Sequence, residues 1–329
     1  MNGSSRSIAI KKNIIASLFL KGISILVSLQ VVPLTINYIN PTRYGIWLTL
    51  SSIVAWLSYF DLGFAHGFRN RFAEAVAKGD MQLAREYVST TYVVLSLLFS
   101  SVFLIAIVVN HFVDWSAILN VDAAYSSELN IVFGILAFFF CLNIVASIFT
   151  TMLTANQKPA LASLIQTLGQ VFGFICIYIL TKTVPGNLDV LAFAFSGVPC
   201  FMLIIISIGM FLSGRYRHLS PSFHFVHFSL TKKIVGLGGQ FFIIMISMLF
   251  VFQLINIVIS RVAGPMAVTQ YNIAYKYFNI LNMAMMIIVT PFWSACADAY
   301  TKKDFLWMKN VIEKMEMIWK LSICVLIIM

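Results

Sequence analysis

Charge is scarce in this sequence. Asp, Glu, Lys and Arg make up 10% of its 329 residues while apolar residues make up 60%, against about 25% and about 45–50% in ordinary soluble domains. A water-soluble fold of this composition would have too little polar surface to cover its core, so that class is excluded. The excess of basic over acidic residues, 22 against 12, does not indicate a nucleic-acid partner, because no polar domain is present to carry it. Cysteine is also sparse. Cys141, Cys176, Cys200, Cys296 and Cys324 lie in or beside apolar stretches, with an odd count and no metal-ligand spacing. That pattern gives neither a disulfide framework nor a metal site, and these residues read as small apolar packing groups. His218, His224 and His227 have no Cys or carboxylate beside them in their loop, so no metal is expected there either.

What is present is long apolar sequence. A helix crossing hydrocarbon needs about 20 predominantly apolar residues. Uncharged runs of that length lie between Glu86 and His111, Glu128 and Lys158, Lys158 and Lys182, Asp189 and Arg215, and Lys233 and Arg261. Three further runs, 13–37, 44–64 and 266–291, are each broken by one charge: Lys21, Asp61 and Lys276. The alternation of a membrane barrel is absent, and open sheet edges cannot be satisfied in lipid. The chain therefore reads as an all-α polytopic membrane protein. Eight full transmembrane helices are expected at about 13–37, 44–64, 88–110, 129–155, 160–181, 190–213, 234–260 and 266–291. The first is not a cleaved signal, being too long, carrying Lys21 and Gln30, and lacking a small-residue cleavage site. After Lys320 only LSICVLIIM remains, about half a span, so the chain reads as truncated within a ninth helix at 317–329.

Basic residues fix the expected orientation. They crowd alternate segments: Lys11 and Lys12, then Arg69 to Arg85, then Lys158, then Arg215 to Lys233, then Lys302 to Lys320. The opposite side carries only Arg43, Lys182 and Arg261. The N-terminus is therefore expected in the cytoplasm.

The sequence also echoes itself. Lys11-Lys12 recurs as Lys232-Lys233, and AEAVAKGD at Ala73–Asp80 recurs as ADAYTKKD at Ala297–Asp304, at offsets of 221 and 224 residues. This is the signature of a parallel repeat of six helices. It implies a first lobe over 1–213, a cytoplasmic linker over 214–232 and an incomplete second lobe over 233–329. Phe72, Val76, Leu83 and Tyr87 recur at helical spacing, predicting an amphipathic surface helix over 68–87 that lies on the anionic cytoplasmic leaflet. Lys302 to Lys320 has the same character.

Intramembrane charge marks the candidate site. Lys21 and Lys276 each lie within about four residues, or about 6 Å, of the middle of a span, and an ammonium there must face a partner, water or ligand. Asn272, Tyr275 and Asn279 share a helix face beside Lys276, at i, i+3 and i+7. Arg261 lies at the outer end of its span, placed to attract an anion. Asp61 and Arg69 bracket the inner end of the second span as a gating or structural pair.

The stretch YGIWLTLSSIVAWLSYFDLGFAHGFRNRFAEAVAKGD (Tyr44–Asp80), with its FDLG and Gly-x-Arg-Asn segments, resembles Wzx-type polysaccharide flippases. QYNIAYKYFNI (Gln270–Ile280) resembles the matching stretch of their second lobe. These proteins belong to the multidrug, oligosaccharidyl-lipid and polysaccharide (MOP) exporter superfamily. The resemblance implies a MATE/MOP-like two-lobe bundle of 12 to 14 helices in the bacterial cytoplasmic membrane, with the second lobe incomplete here. It also implies movement of an undecaprenyl-pyrophosphate-linked oligosaccharide to the periplasmic leaflet. Lipid-linked oligosaccharide, membrane lipids and glycan-assembly proteins would be its partners, and it would need neither a cofactor nor catalytic residues. The alternative is a cation-coupled exporter of drugs or other small molecules from the same superfamily. Some of those use a carboxylate in the first span, and 13–37 has none. A membrane-embedded glycan polymerase would want a long basic outer loop, and the longest one here, His111 to Glu128, has no Lys or Arg.

Overall fold

A computed structural model of the chain describes residues 3–57, 63–156, 158–214, 216–236, 254–301 and 305–328. Among the described residues every regular element is a helix. The order is α1 (Gly3–Ile39), α2 (Pro41–Ala55), α3 (Phe64–Ala77), α4 (Met81–Phe112), α5 (Trp115–Leu119), α6 (Ser126–Ala155), α7 (Pro159–Thr183), α8 (Leu188–Leu212), α9 (Ser229–Val235), α10 (Leu254–Ala263), α11 (Pro265–Thr301) and α12 (Phe305–Ile328). Five are long and apolar enough to cross a membrane: α1 from Ile15, α4, α6, α7 and α8. Helix is the element that satisfies every backbone donor and acceptor within its own segment, which lipid demands.

Two elements differ from the sequence reading. The stretch 44–64 is not one helix. α2 begins earlier, at Pro41, because Asn40 caps it by accepting from the Arg43 N–H at 2.9 Å and proline suits the first helical turn. It ends at Ala55 in a 3-10 turn, and α3 restarts after Gly63, whose φ is 78°. The amphipathic stretch 68–87 is also divided, between α3 and α4. Gly79, at φ 78°, closes α3: its N–H reaches the Val76 carbonyl and the Asp80 N–H reaches that of Ala75. Asp80 then caps α4 through the Leu83 N–H at 2.9 Å. Nothing lies within 4 Å of where a Gly79 side chain would project, so the left-handed backbone is the whole constraint. Gly79→Ala is expected to cost about 1 kcal/mol, read as a lowered unfolding temperature in detergent, and Gly79→Asn less than that.

Residues up to Thr269 form one compact unit and Gln270–Met329 a second. The first has two hydrophobic clusters joined by α6 and α8. One gathers Phe64, Phe68 and Phe72 of α3 with Phe99, Phe149, Phe211 and Ile234. The other gathers Tyr44, Trp47 and Leu50 of α2 with Trp115, Phe133, Leu191 and Val268. α7 meets α8 where Gly169 and Gly173, one helical turn apart, receive Pro199. This small-residue spacing lets transmembrane backbones approach closely. The segment read as the seventh span is seen at its two ends only, since 237–253 lies outside the described residues. α9 packs on α3 and α4, and α10 packs on α2 and α5.

In the second unit, α12 is a single helix of 24 residues. It takes in most of the Lys302–Lys320 stretch and residues 317–328 of the half-span. A cavity of about 410 Å³ lies between α11 and α12, lined by Phe278, Met285, Trp319 and Leu326 among others.

Candidate functional site

α11 carries most of the candidate residues. At 100° per residue Asn272, Lys276 and Asn279 fall on one face, and all three are half-buried. Tyr271, Tyr275, Tyr277 and Phe278 are exposed. The polar face is thus the shielded one, the reverse of a surface helix in water. Tyr275 stands at the margin of that face and stacks on Tyr271, with ring centroids 6.1 Å apart and planes 21° from parallel. The Asn282 amide donates to Asn279 Oδ1 at 3.0 Å.

The other candidates stand on separate elements. Lys21 is exposed on α1, beside the polar α1–α7 contact in which the Ser24 and Thr167 hydroxyls lie 3.3 Å apart. Arg261 is exposed in the last turn of α10. Arg69 is exposed on α3, while Asp61 lies outside the described residues. Two residues beyond Arg69, Arg71 donates to the Lys233 carbonyl at 3.3 Å and to Glu74 at 3.1 Å. Lys78 donates to Glu74 at 2.7 Å, and these hydrogen bonds, that from Lys78 first, hold the Glu74 carboxyl below the usual range. Among the described residues no three His, Cys, Asp or Glu side chains are grouped to hold a metal ion.

Two features were not anticipated from the sequence. Within the stretch 214–232, read as a linker, residues 220–227 are strapped along the start of α4. The Ser222 N–H donates to Ser89 Oγ at 3.1 Å and the His227 N–H to Thr90 Oγ1 at 3.0 Å. Arg85 donates to the Ser220 carbonyl at 2.9 Å and lies 4.2 Å over the Phe225 ring. Serine and threonine hydroxyls at 89–91 were the only sequence trace of this strap.

The second feature is a seam at the end of the first unit that bears the α1–α2, α7–α8 and α10–α11 turns. The Asn256 amide donates to Ser52 Oγ at 2.5 Å, Ser260 Oγ donates to the Leu119 carbonyl at 3.0 Å, and Thr269 Oγ1 donates to the Pro41 carbonyl at 2.6 Å. All four side chains are buried. Gly45 lies so close to Pro265 that an added Cβ would overlap the proline carbonyl. On the same rim Arg43 joins Glu128 at 3.5 Å and the Gly186 carbonyl at 3.2 Å.

Likeness to known proteins runs along most of the chain. Residues 10–294 match the family described as polysaccharide biosynthesis protein. The chain is 17% identical over 285 residues to a candidate O-antigen export protein of Yersinia pseudotuberculosis, covering 86% of this chain and 64% of that one. It is 22% identical over 292 residues to a candidate O-antigen transporter of Salmonella typhi, covering 87% and 64%. This chain thus spans somewhat under two thirds of the length of these relatives. Among solved structures it is similar to the inward-facing conformation of a multidrug-resistance MATE family transporter of the MOP superfamily. The TM-score is 0.63 at 15% identity, covering 88% of this chain and 67% of that one.

Proposed function

The chain belongs to the polysaccharide biosynthesis protein family, as a multi-pass protein of the bacterial inner membrane, and from that membership we propose that it carries an undecaprenyl-pyrophosphate-linked oligosaccharide from the cytoplasmic to the periplasmic leaflet by alternating access. The relatives described above are transporters and not enzymes, and flipping breaks no covalent bond. The barrier is electrostatic. Moving even one carboxylate-sized charge into low dielectric costs about 20 kcal/mol by the idealised Born estimate, so a pyrophosphate bearing sugars needs a wet, cationic passage with room beside it for the lipid tail.

The observation that carries this reading is the half-buried Lys276 on α11, flanked on its face by Asn272 and Asn279 within a mostly apolar helix. The ammonium would meet the pyrophosphate, and the amides would meet sugar hydroxyls, with Tyr275 stacking at the margin. Lys21 and Arg261 would hold the anion nearer the cytoplasmic and periplasmic sides, and Asp61 with Arg69 would close the inner end. In this scheme the N-terminus is cytoplasmic, eight helices cross fully, and lobes 1–213 and 233–329 move against each other. The strap on α4 and the packing of α9 on α3 and α4 tie the linker and the residues just after it to the first lobe.

Expression in a bacterium lacking its own O-antigen flippase tests the proposal. Restored surface glycan is expected, and unrestored glycan with normal membrane levels of the protein would refute it. The second reading, a cation-coupled drug exporter, is favoured by the MATE structural neighbour. Resistance to cationic drugs without restored glycan would select it.

A further inference from the structure

We infer that the seam between α2 and the α10–α11 turn is the outer gate of the transporter, closed in this structure, and that Gly45, Ser52, Asn256 and Thr269 are its positioning residues. This rests on the alternating-access reading above.

The seam joins chain segments 141 to 228 residues apart at several levels. Ser52 meets Asn256 at its inner end, Leu119 meets Ser260, and Pro41 meets Thr269 at the rim. From Ser52 to Pro41 it extends about 16 Å along α2, at 1.5 Å per residue. Ser260 is 0% and Thr269 2% exposed, so it is sealed throughout its depth. A sugar or a pyrophosphate cannot pass it as it stands.

Its chemistry is that of a contact built to open. The hydrogen bonds are between neutral hydroxyl, amide and carbonyl groups, so parting them separates no charge from its counter-charge. The Leu119 carbonyl, at the last residue of α5, is one that a helix end leaves without an intrahelical partner, and the Pro41 carbonyl lies at the start of α2, so water entering the parted seam can replace the Ser260 and Thr269 hydroxyls. Gly45 lets two backbones meet at the Pro265 carbonyl, making closure depend on the absence of a side chain. The other flank of α2 is different in kind: Trp47 packs edge-on against Phe195 of α8 at 4.5 Å, within an aromatic and aliphatic core. One flank is fixed by large apolar side chains alone, while on the other the cross-links are made by small polar groups, with Val268 and Ile259 packed beside them. The seam also closes the side that an inward-facing state must close, which agrees with the conformation of the similar transporter.

The test uses the full chain in cells, with its native cysteines replaced. Ser260→Cys is expected to react with a membrane-impermeant thiol reagent added outside at less than a tenth of the extent seen after denaturation. Adding Gly45→Leu should raise that at least fivefold. Thr269→Val, which removes one hydroxyl and keeps the shape, should raise it to a smaller degree and covers the case in which Gly45→Leu fails to fold. Ready labelling of Ser260→Cys in the parent, or no rise in either variant, would overturn the gate. In a second arm, Ser52→Cys with Asn256→Cys is bridged by a short, reducible bifunctional reagent. Surface glycan is expected to fall at least tenfold and to recover on reduction. A pair that does not bridge, or glycan display that continues while bridged, would also overturn it. A parent that never displays glycan would instead count against the transport reading, and the labelling arm would still decide whether the seam is closed.

Discussion

Lys276→Ala is expected to reduce surface glycan by one to two orders of magnitude while leaving the amount of protein in the membrane unchanged. A hydrogen bond to a charged group contributes about 1.5–3 kcal/mol, and about 1.4 kcal/mol is a factor of ten. Loss of transport without loss of stability separates a substrate-facing lysine from a structural one, whose removal would destabilise the bundle. Lys276→Arg keeps the charge and should retain part of the display. The variants are compared by surface glycan staining against membrane protein quantified by immunoblot. Normal display in Lys276→Ala would remove this residue from the site.

Gly67→Ala is expected to destabilise the fold more than a methyl added at Gly22 or Gly79. A Cβ at Gly67 would overlap the carbonyl of Ile234 in α9. Both sides of that contact are backbone, so no side chain can turn away and α3 must retreat. Phe68 and Phe72, both fully buried, would be drawn from their cluster, and the Arg71 hydrogen bond to Lys233 would lengthen. Overpacking of this kind costs about 1–3 kcal/mol, occasionally more. Gly22→Ala on α1 is the control, since nothing lies within 4 Å of the added methyl and a helical glycine gains up to about 1 kcal/mol on becoming alanine. The fraction of each protein remaining monodisperse after heating in detergent should fall for Gly67→Ala and hold or rise for Gly22→Ala. Equal melting of the two would show that α3 and α9 are not in close contact.

Helices such as α4, α6, α7 and α8 were legible because hydrocarbon imposes one rule on composition, and an uncharged run of sufficient length can satisfy it only as a helix. The division between α3 and α4 was less visible. Hydrophobic periodicity carries on from Phe72 to Leu83 across the break, and the signal that ends one helix and starts the next is confined to Gly79 and Asp80. The seam beside α2 left almost no trace. Ser52, Asn256, Ser260 and Thr269 are small neutral residues in apolar runs, and such residues gain meaning only from the backbone that approaches them. Lys21 and Lys276 stood out equally as charges within spans, yet one is exposed and the other half-buried. That difference comes from what packs beside each helix, which a single run of residues does not encode.

Movement of a charged headgroup across a membrane is tested most directly in vesicles. The purified chain is reconstituted into liposomes carrying undecaprenyl-pyrophosphate-linked oligosaccharide, and an impermeant glycosidase outside reports which glycans become accessible. Glycan from the inner leaflet is expected to become cleavable at a rate that depends on the protein and collapses in Lys276→Ala. Accessibility no greater than in protein-free vesicles, with uptake of a cationic drug by the same preparation, would contradict transport of the lipid-linked glycan.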